Sequence, residues 1–263
     1  MNPERWHRPR QLALVLVEPA GPLNVGSVAR LCANFSSPQL AISLRLVAPR
    51  CDHLGVEAQR MAVHAVAVLQ QASLYPDLAA ALADCAAVVA TSGRGEGDPL
   101  PVVALQPAAT WLLGQPTAPT NPLALVFGRE DRGLSAAELL QAGCLLQLNT
   151  GPSYGSMNLS HAVAVVLHGL HQQLQEGVLP AQVAGAGPGP EALAERGQVE
   201  AMLADAESLL LEVGFLHPHT AAARMAKLRA LLQRAGLADA EVALLRGMVR
   251  QCRWAAGRRA QTS

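Results

Sequence analysis

The sequence predicts an α/β protein, a largely parallel sheet with helices on both faces, followed by a small helical C-terminal extension. Three observations carry this prediction. Short apolar runs alternate with amphipathic segments as far as Leu170, the pattern of strands joined by crossover helices. Four of these runs lead into polar loops that bear glycine, at 19–27, 91–97, 128–133 and 149–158, where parallel sheets place their ligands. Gly, Ala and Pro then crowd Gln175 to Gln198, and the segments beyond read as helices rich in arginine.

Gln11 to Val17 (QLALVLV) is a buried-strand candidate. Pro19, Gly21 and Pro22 make a turn, and Asn24 is placed to cap a helix. Val28, Leu31, Cys32 and Phe35 give that helix its apolar spacing, with Arg30 on its second turn. Leu40 to Val47 alternates as a strand, and Val56 to Gln71 and Leu78 to Ala83 read as helices. Ala86 to Thr91 is an apolar strand that ends in TSGRGEGDP. Leu123 to Phe127 is another, leading through Gly128, Arg129, Glu130 and Gly133 to Ser135, whose S-x-x-E with Glu138 is a capping box. Leu145 to Leu148 reads as a buried strand, broken by Gly151, Pro152 and Gly155 before a helix that starts near Ser156. Beyond the linker, Gln198 to Gly214, Thr220 to Ala235 and Ala238 to Ala255 read as three helices.

With 263 residues, 51% of them hydrophobic, the chain can bury a sizeable core, and its length fits one ordinary domain plus an appendage. No apolar run reaches the roughly 18 residues of a membrane helix. The N-terminal MNPERWHRPRQ lacks the apolar core of a signal peptide, so a cytoplasmic location is expected. Cys32, Cys51, Cys85, Cys144 and Cys252 are scattered without C-x-x-C spacing, which indicates neither a disulfide framework nor a metal site. Net charge is zero, but residues 215–263 hold nine basic side chains against Asp239 and Glu241, a local balance of +7. Arg5, Arg8 and Arg10 add a smaller basic patch. Such asymmetry is a footprint of phosphate binding, with a solvated helix face as the bland alternative.

The loop after Leu148 admits more than one chemistry. Gly151, Ser153 and Gly155 spell G-x-S-x-G, the nucleophile elbow of α/β-hydrolases, and Asp205, His217 and His219 follow in the matching chain order. That fold sets its acid and histidine after further strands, whereas everything beyond Leu170 here reads as helix or linker. An ordinary αβ loop with helix-capping serines is a second reading. No G-x-G-x-x-G of the Rossmann type and no Walker loop is present, so a dinucleotide or ATP has little support.

Three further stretches carry a resemblance. N-x-G-S-V-A-R at Asn24 to Arg30, V-F-G-R-E-x-x-G-L at Val126 to Leu134 and S-M-N-L-S at Ser156 to Ser160 resemble the ordered motifs of the SpoU or TrmH class of SPOUT RNA 2'-O-methyltransferases. TSGR at Thr91 to Arg94 and the C-terminal LLEVGFLHPHTAAARMAKLR are similar to the TrmJ branch, which methylates tRNA in the anticodon loop. Ala48 stands where the family often has Asn, and its small-residue stretch is replaced near Arg60 to Ala65.

The resemblance implies a SPOUT α/β-knot, with a trefoil knot at the C-terminal side of the sheet domain, and a homodimer without a metal. Residues 1–175 would be the methyltransferase domain, 176–197 a flexible linker and 198–263 a basic helical extension that docks RNA or serves as a dimer arm. S-adenosylmethionine would lie on Thr91, Ser92, Gly93, Gly128, Leu148, Gly155, Ser156 and Met157. Arg30, Glu130, Ser156 and Asn158 would be the catalytic set, and a ribose 2'-OH of tRNA the methyl acceptor, at cytidine or uridine 32. Tyr154 is the aromatic placed to stack on a base. An rRNA-directed SPOUT enzyme is the near alternative. A catalytically silent RNA-binding homologue is the other, disfavoured because all four catalytic candidates are present.

Overall fold

The computed structural model describes residues 9–93, 98–100, 102–115, 121–151, 155–176 and 193–260. Arg5, Arg8, Arg94, Ser153, Tyr154 and most of the expected linker therefore lie outside the described residues.

Seven strands form one sheet: β1 (Arg10–Val17), β2 (Leu40–Val47), β3 (Ser73–Tyr75), β4 (Ala87–Thr91), β5 (Val102–Val103), β6 (Leu123–Phe127) and β7 (Cys144–Leu146). Their order is β3-β2-β1-β6-β4-β7-β5, and every pairing is parallel. Side chains alternate across a strand, so β1 sends Leu12, Leu14 and Leu16 to one face and Ala13, Val15 and Val17 to the other, all buried. A strand buried on both faces reads as an unbroken apolar run, which is why LALVLV predicts it so plainly.

The Leu12 face is covered by α1 (Pro22–Phe35), α2 (Val56–Ala62), α3 (Val66–Gln70), α5 (Leu105–Gly114) and α7 (Leu159–Glu176). The Ala13 face is covered by α4 (Leu78–Leu82) and α6 (Ala136–Leu139). The capping box at Ser135 and Glu138 is formed as expected.

Several local expectations need correction. Asn24 does not cap α1: Gly21 is the N-cap and Pro22 holds the first helical position, where its fixed φ and missing N–H cost nothing. Asn24 is thereby inside the first turn, and Arg30 falls on the third turn. The helix expected over Val56 to Gln71 is broken by a 3-10 turn at Val63–Ala65, with Val63 at φ 54°, and the break keeps Ala62, Ala65 and Leu69 buried together. α7 begins at Leu159 rather than near Ser156, because the Asn158 side chain caps it by accepting from Ser160 N (2.9 Å) and His161 N (3.3 Å). The last strand is Cys144–Leu146, ending two residues before Leu148.

The extension comprises α8 (Arg196–Glu212), α9 (Pro218–Ala235) and α10 (Asp239–Ala260), around a core of their own that includes Met202, Leu203, Leu216, Met225 and Val242. It is packed onto the sheet domain. Gly197 N donates to Ala83 O (2.9 Å), and Ala230 of α9 joins the Ala13-face core. The Gln233 amide, oriented to satisfy both neighbours, accepts from Arg196 Nη1 (3.0 Å) and Nη2 (2.7 Å) and donates to Ala142 O. Arg196 is thus buried between the two units, and burial lowers its pKa.

The approach of α1 to α2 requires glycine at one position. A Cβ built on Gly26 would sit 2.1 Å from Ala58 O, a backbone atom that cannot swing away. Gly to Ala inside a helix ordinarily stabilises by about 1 kcal/mol. Here overpacking, which costs about 1–3 kcal/mol or more, outweighs it. Gly26→Ala is expected to lower the urea midpoint with an unchanged m-value; a variant as stable as the wild type would show that the helices can part without loss.

Candidate active site at the carboxyl ends of the strands

Because all strand pairs are parallel, β1, β4, β6 and β7 end on one edge of the sheet, and the loops after the last three enclose a cavity of about 480 Å³. Its wall is contributed by Thr91 to Gly93 after β4, Phe127 to Leu134 after β6, Leu146 to Leu148 after β7, and Gly155 to Met157 ahead of α7. All eight residues expected to hold a cofactor line this one cavity.

The loop after β6 is folded tightly on itself. Arg129 N and Gly133 N exchange bonds with each other's carbonyls (3.3 and 3.0 Å), so a Cβ on Gly128 would lie 2.3 Å from the Gly133 carbonyl carbon; only glycine fits. Arg129 braces the turn. Its Nη1 and Nη2 grip the Glu138 carboxylate (2.9 and 3.0 Å), and Nη2 also donates to Glu18. Glu18 takes Arg50 (2.7 Å) and Arg132 (3.5 Å) as well. The hydrogen bond from Arg129, with the charges of all three arginines, holds the Glu18 carboxyl below its ordinary pKa, and the Glu18 and Glu138 bonds raise that of Arg129. Burial alone would raise Glu138, but Arg129 and the Ser135 cap outweigh it and the pKa falls.

Glu130 turns the other way, toward the loop after β1. Its Oε2 accepts from Ala20 N (3.1 Å), and its Oε1 from Gly21 N (3.0 Å) and Asn24 Nδ2 (3.0 Å). Partial burial would raise its pKa, yet these donors win and lower it. Asn24 Oδ1 in turn accepts from Asn158 Nδ2 (3.1 Å). One chain of contacts, Glu130 to Asn24 to Asn158, therefore joins the loop after β6, the start of α1 and the cap of α7.

Of the four catalytic candidates, Glu130 and Ser156 line the cavity, and Asn158 is linked to it through Asn24. Arg30 does not line it. The side chain is exposed on α1 and makes no hydrogen bond or ion pair among the described residues. Sequence reading missed Asn24 as a bridge, having assigned it to the cap, and missed Glu18 and Asp98, whose carboxylate accepts from Ser92 Oγ (2.5 Å). Thr91 Oγ1 bonds Val126 O (3.1 Å), tying the β4 end to β6. Among the described residues no group of His, Cys, Asp and Glu is arranged to hold a metal ion, and no helix is long and apolar enough to cross a membrane. The hydrolase reading finds no support: Asp205 lies on α8, His217 and His219 at the start of α9, and none of them lines the cavity.

Glu18, Glu130 and Glu138 all have folded pKa values below the roughly 4.3 of an unperturbed glutamate. Their contribution is complete above that value and is lost as pH falls through the folded values. Glu130→Gln is therefore expected to lower the thermal midpoint at pH 7, and the gap to wild type to close below about pH 4. A gap independent of pH would mean that the carboxylate charge plays no part in holding the loops.

Comparison with known proteins agrees with this geometry. Residues 11–168 match the model of the SpoU rRNA methylase family, and residues 197–262 match the C-terminal domain of the tRNA methyltransferase TrmJ. The tRNA (cytidine/uridine-2'-O-)-methyltransferase TrmJ of Cronobacter sakazakii is 33% identical over 91% of this chain and 95% of its own. The tRNA (cytidine-2'-O-)-methyltransferase TrmJ of Methanocaldococcus jannaschii is 37% identical over 61% of this chain and 67% of its own. The crystal structure of TrmJ from Z. mobilis superposes with a TM-score of 0.74 at 31% identity, covering 91% of this chain and 97% of that one. With both parts of the chain matched, by family model and by relatives over most of its length, the protein belongs to the SpoU family of SPOUT methyltransferases, in its TrmJ branch.

Proposed function

We propose that the protein transfers a methyl group from S-adenosylmethionine to a ribose 2'-OH of tRNA, at cytidine or uridine 32 of the anticodon loop. The observation that carries this reading is the convergence of all eight cofactor candidates on one cavity, together with the Glu130–Asn24–Asn158 link that ties the first and third motifs to it. The match of residues 197–262 to a tRNA methyltransferase domain supports tRNA over rRNA as the acceptor.

The cavity suits the cofactor. Its volume lies within the roughly 300–1,000 Å³ of small-molecule sites. Leu134, Leu146, Leu148 and Met157 offer apolar surface for a base, the position at Gly93 opens onto free space, and a Cβ at Gly155 would meet only Thr150 Oγ1 (3.8 Å), so backbone there can meet a ligand directly. When bound, S-adenosylmethionine supplies the electrophilic methyl group.

The residues then divide by what they can still do. Glu130 and Asn158 spend their oxygens on backbone and on Asn24, so they hold the loops in place. Ser156, exposed on the wall, is left to meet the ribose. Methyl transfer needs the acceptor oxygen in line and relief of its developing negative charge. Arg30 serves that need as a donor that clamps the adjacent phosphate and stabilises the nascent alkoxide; a guanidinium does not act as a base in proteins. The proton leaves to phosphate or water. Two copies of the chain pair through the face of α1 that exposes Leu23; Arg30, seven residues further on, shares that face.

On this reading Arg30→Ala abolishes methylation of tRNA, while calorimetry gives an S-adenosylmethionine affinity near wild type. Arg30→Lys keeps the charge but loses the planar fork, and recovers little. Substantial turnover by Arg30→Ala would overturn the assignment. Nucleoside mass spectrometry of tRNA modified by the wild type tests nucleotide 32 directly.

A further inference from the structure

We infer that the row Arg246, Arg250, Trp254 and Arg258 on α10, half-buried at Arg246 and exposed at the other three, is a docking ridge for RNA, with the Trp254 indole a stacking surface for an unpaired base. This rests on tRNA being the substrate and says which face of the extension meets it.

The row follows from helix geometry. Residues four apart share a face, so these four lie in line over roughly 18 Å of helix. Residues Val242 and Leu245 turn α10 toward the α8–α9 core, and Arg253 Nη2 reaches across to Asp205 O (2.9 Å). With the inner face so committed, Trp254 is left 55% exposed, an uncommon position for the largest side chain. The Arg258 guanidinium lies over its ring, 4.8 Å from the centroid. A ring and a guanidinium held together present a flat surface and a positive charge at one point, which is what an unstacked nucleotide offers in complement: a base face and a phosphate.

Charge favours RNA over a second copy of the chain or another protein. From Arg246 to Ala260 the sequence has five arginines and no acid; the acids of α10, Asp239 and Glu241, stand at its other end. Arg246 and Arg250 form no ion pair among the described residues. Of the α8 acids Glu200, Asp205, Glu207 and Glu212, Glu200 is taken by Arg229 (3.0 Å) and Arg196 (3.6 Å), and no ion pair joins any of them to Arg246 or Arg250 among the described residues. Arginine rows that stabilise a fold are laced with carboxylates, and neither Arg246 nor Arg250 is paired with one among the described residues.

The test measures tRNA binding by the full-length protein across a salt series, beside S-adenosylmethionine binding and oligomeric state. Trp254→Ala is expected to weaken tRNA binding about tenfold, and Trp254→Phe to retain most of it, since stacking needs a ring more than an indole. Arg250→Gln with Arg258→Gln should lower the log–log salt slope by about 1.4 to 1.8 units, each lost phosphate contact removing roughly 0.7 to 0.9. Cofactor affinity should hold in every variant, which also reports that the sheet domain is folded. If the wild type methylates tRNA but these variants bind it with unchanged affinity and slope, the ridge is wrong and the function stands. Variants that change the oligomeric state and leave tRNA binding intact would make the row a contact between copies, which also overturns the proposal. A wild type that neither binds nor methylates tRNA would remove the functional reading itself.

Discussion

The carboxylate of Glu130 is the joint on which the strand-end loops depend. A parallel sheet brings its carboxyl ends to one edge but does not couple the loops that leave them; each could move by itself. Glu130 gathers two backbone N–H groups from the loop after β1 and the Asn24 amide from the first turn of α1, and Asn24 passes the connection to the cap of α7. Hydrogen bonds to a charged acceptor are about twice as strong as neutral ones, so a single acid at the end of β6 can hold two other segments in register with it.

The neighbouring Arg129 meets a related need by spanning rather than gathering. It closes the hairpin-like turn at 128–134 while gripping Glu138 on α6 and Glu18 after β1, with only 11% of its side chain exposed. Glu18 itself has φ 45°, and Ala48, the equivalent residue after β2, has φ 41°. Such backbone costs on the order of 1–3 kcal/mol and persists only where the surroundings fix it. They do so here: Glu18 N bonds Val47 O (2.8 Å), Ala48 N bonds Tyr75 O (2.9 Å) and Arg50 N bonds Pro19 O (3.0 Å), so the sharp turns at two adjacent strand ends are tied to neighbouring backbone.

What was legible in the sequence follows burial. β1, β4 and β6 are enclosed on both faces and read as apolar runs; β3 and β5 are edge strands of three and two residues, half exposed, with too few side chains to make a pattern. α5 is absent from the sequence reading: Leu105, Ala108, Leu112 and Leu113 have helical spacing, but Pro107 stands among them, in what proves to be the first turn. At the site, glycine loops could be placed at strand ends by spacing alone, and the family motifs supplied the roles. The pairing of Asn24 with Glu130 and Asn158 was not legible, because it joins residues 106 and 134 positions apart that no local propensity connects. Trp254 was passed over for a related reason: its exposure depends on where α10 turns, which only the packing of Val242 and Leu245 decides.

The attachment of the extension has a consequence for how a long substrate is measured. Gly197 on Ala83, Gln233 on Ala142 and Ala230 in the sheet core bolt α8 and α9 to the back of the strands. Ala142 stands two residues before β7, the strand that delivers Leu146 and Leu148 to the cavity. A mount of this kind makes α10 a fixed arm and not a tether, so the span from its surface to the cavity is a set length. Any rod-shaped molecule that touched both would be gauged by that span, as by a caliper, and the nucleotide presented to the cavity would be chosen by its distance along the molecule as well as by its base.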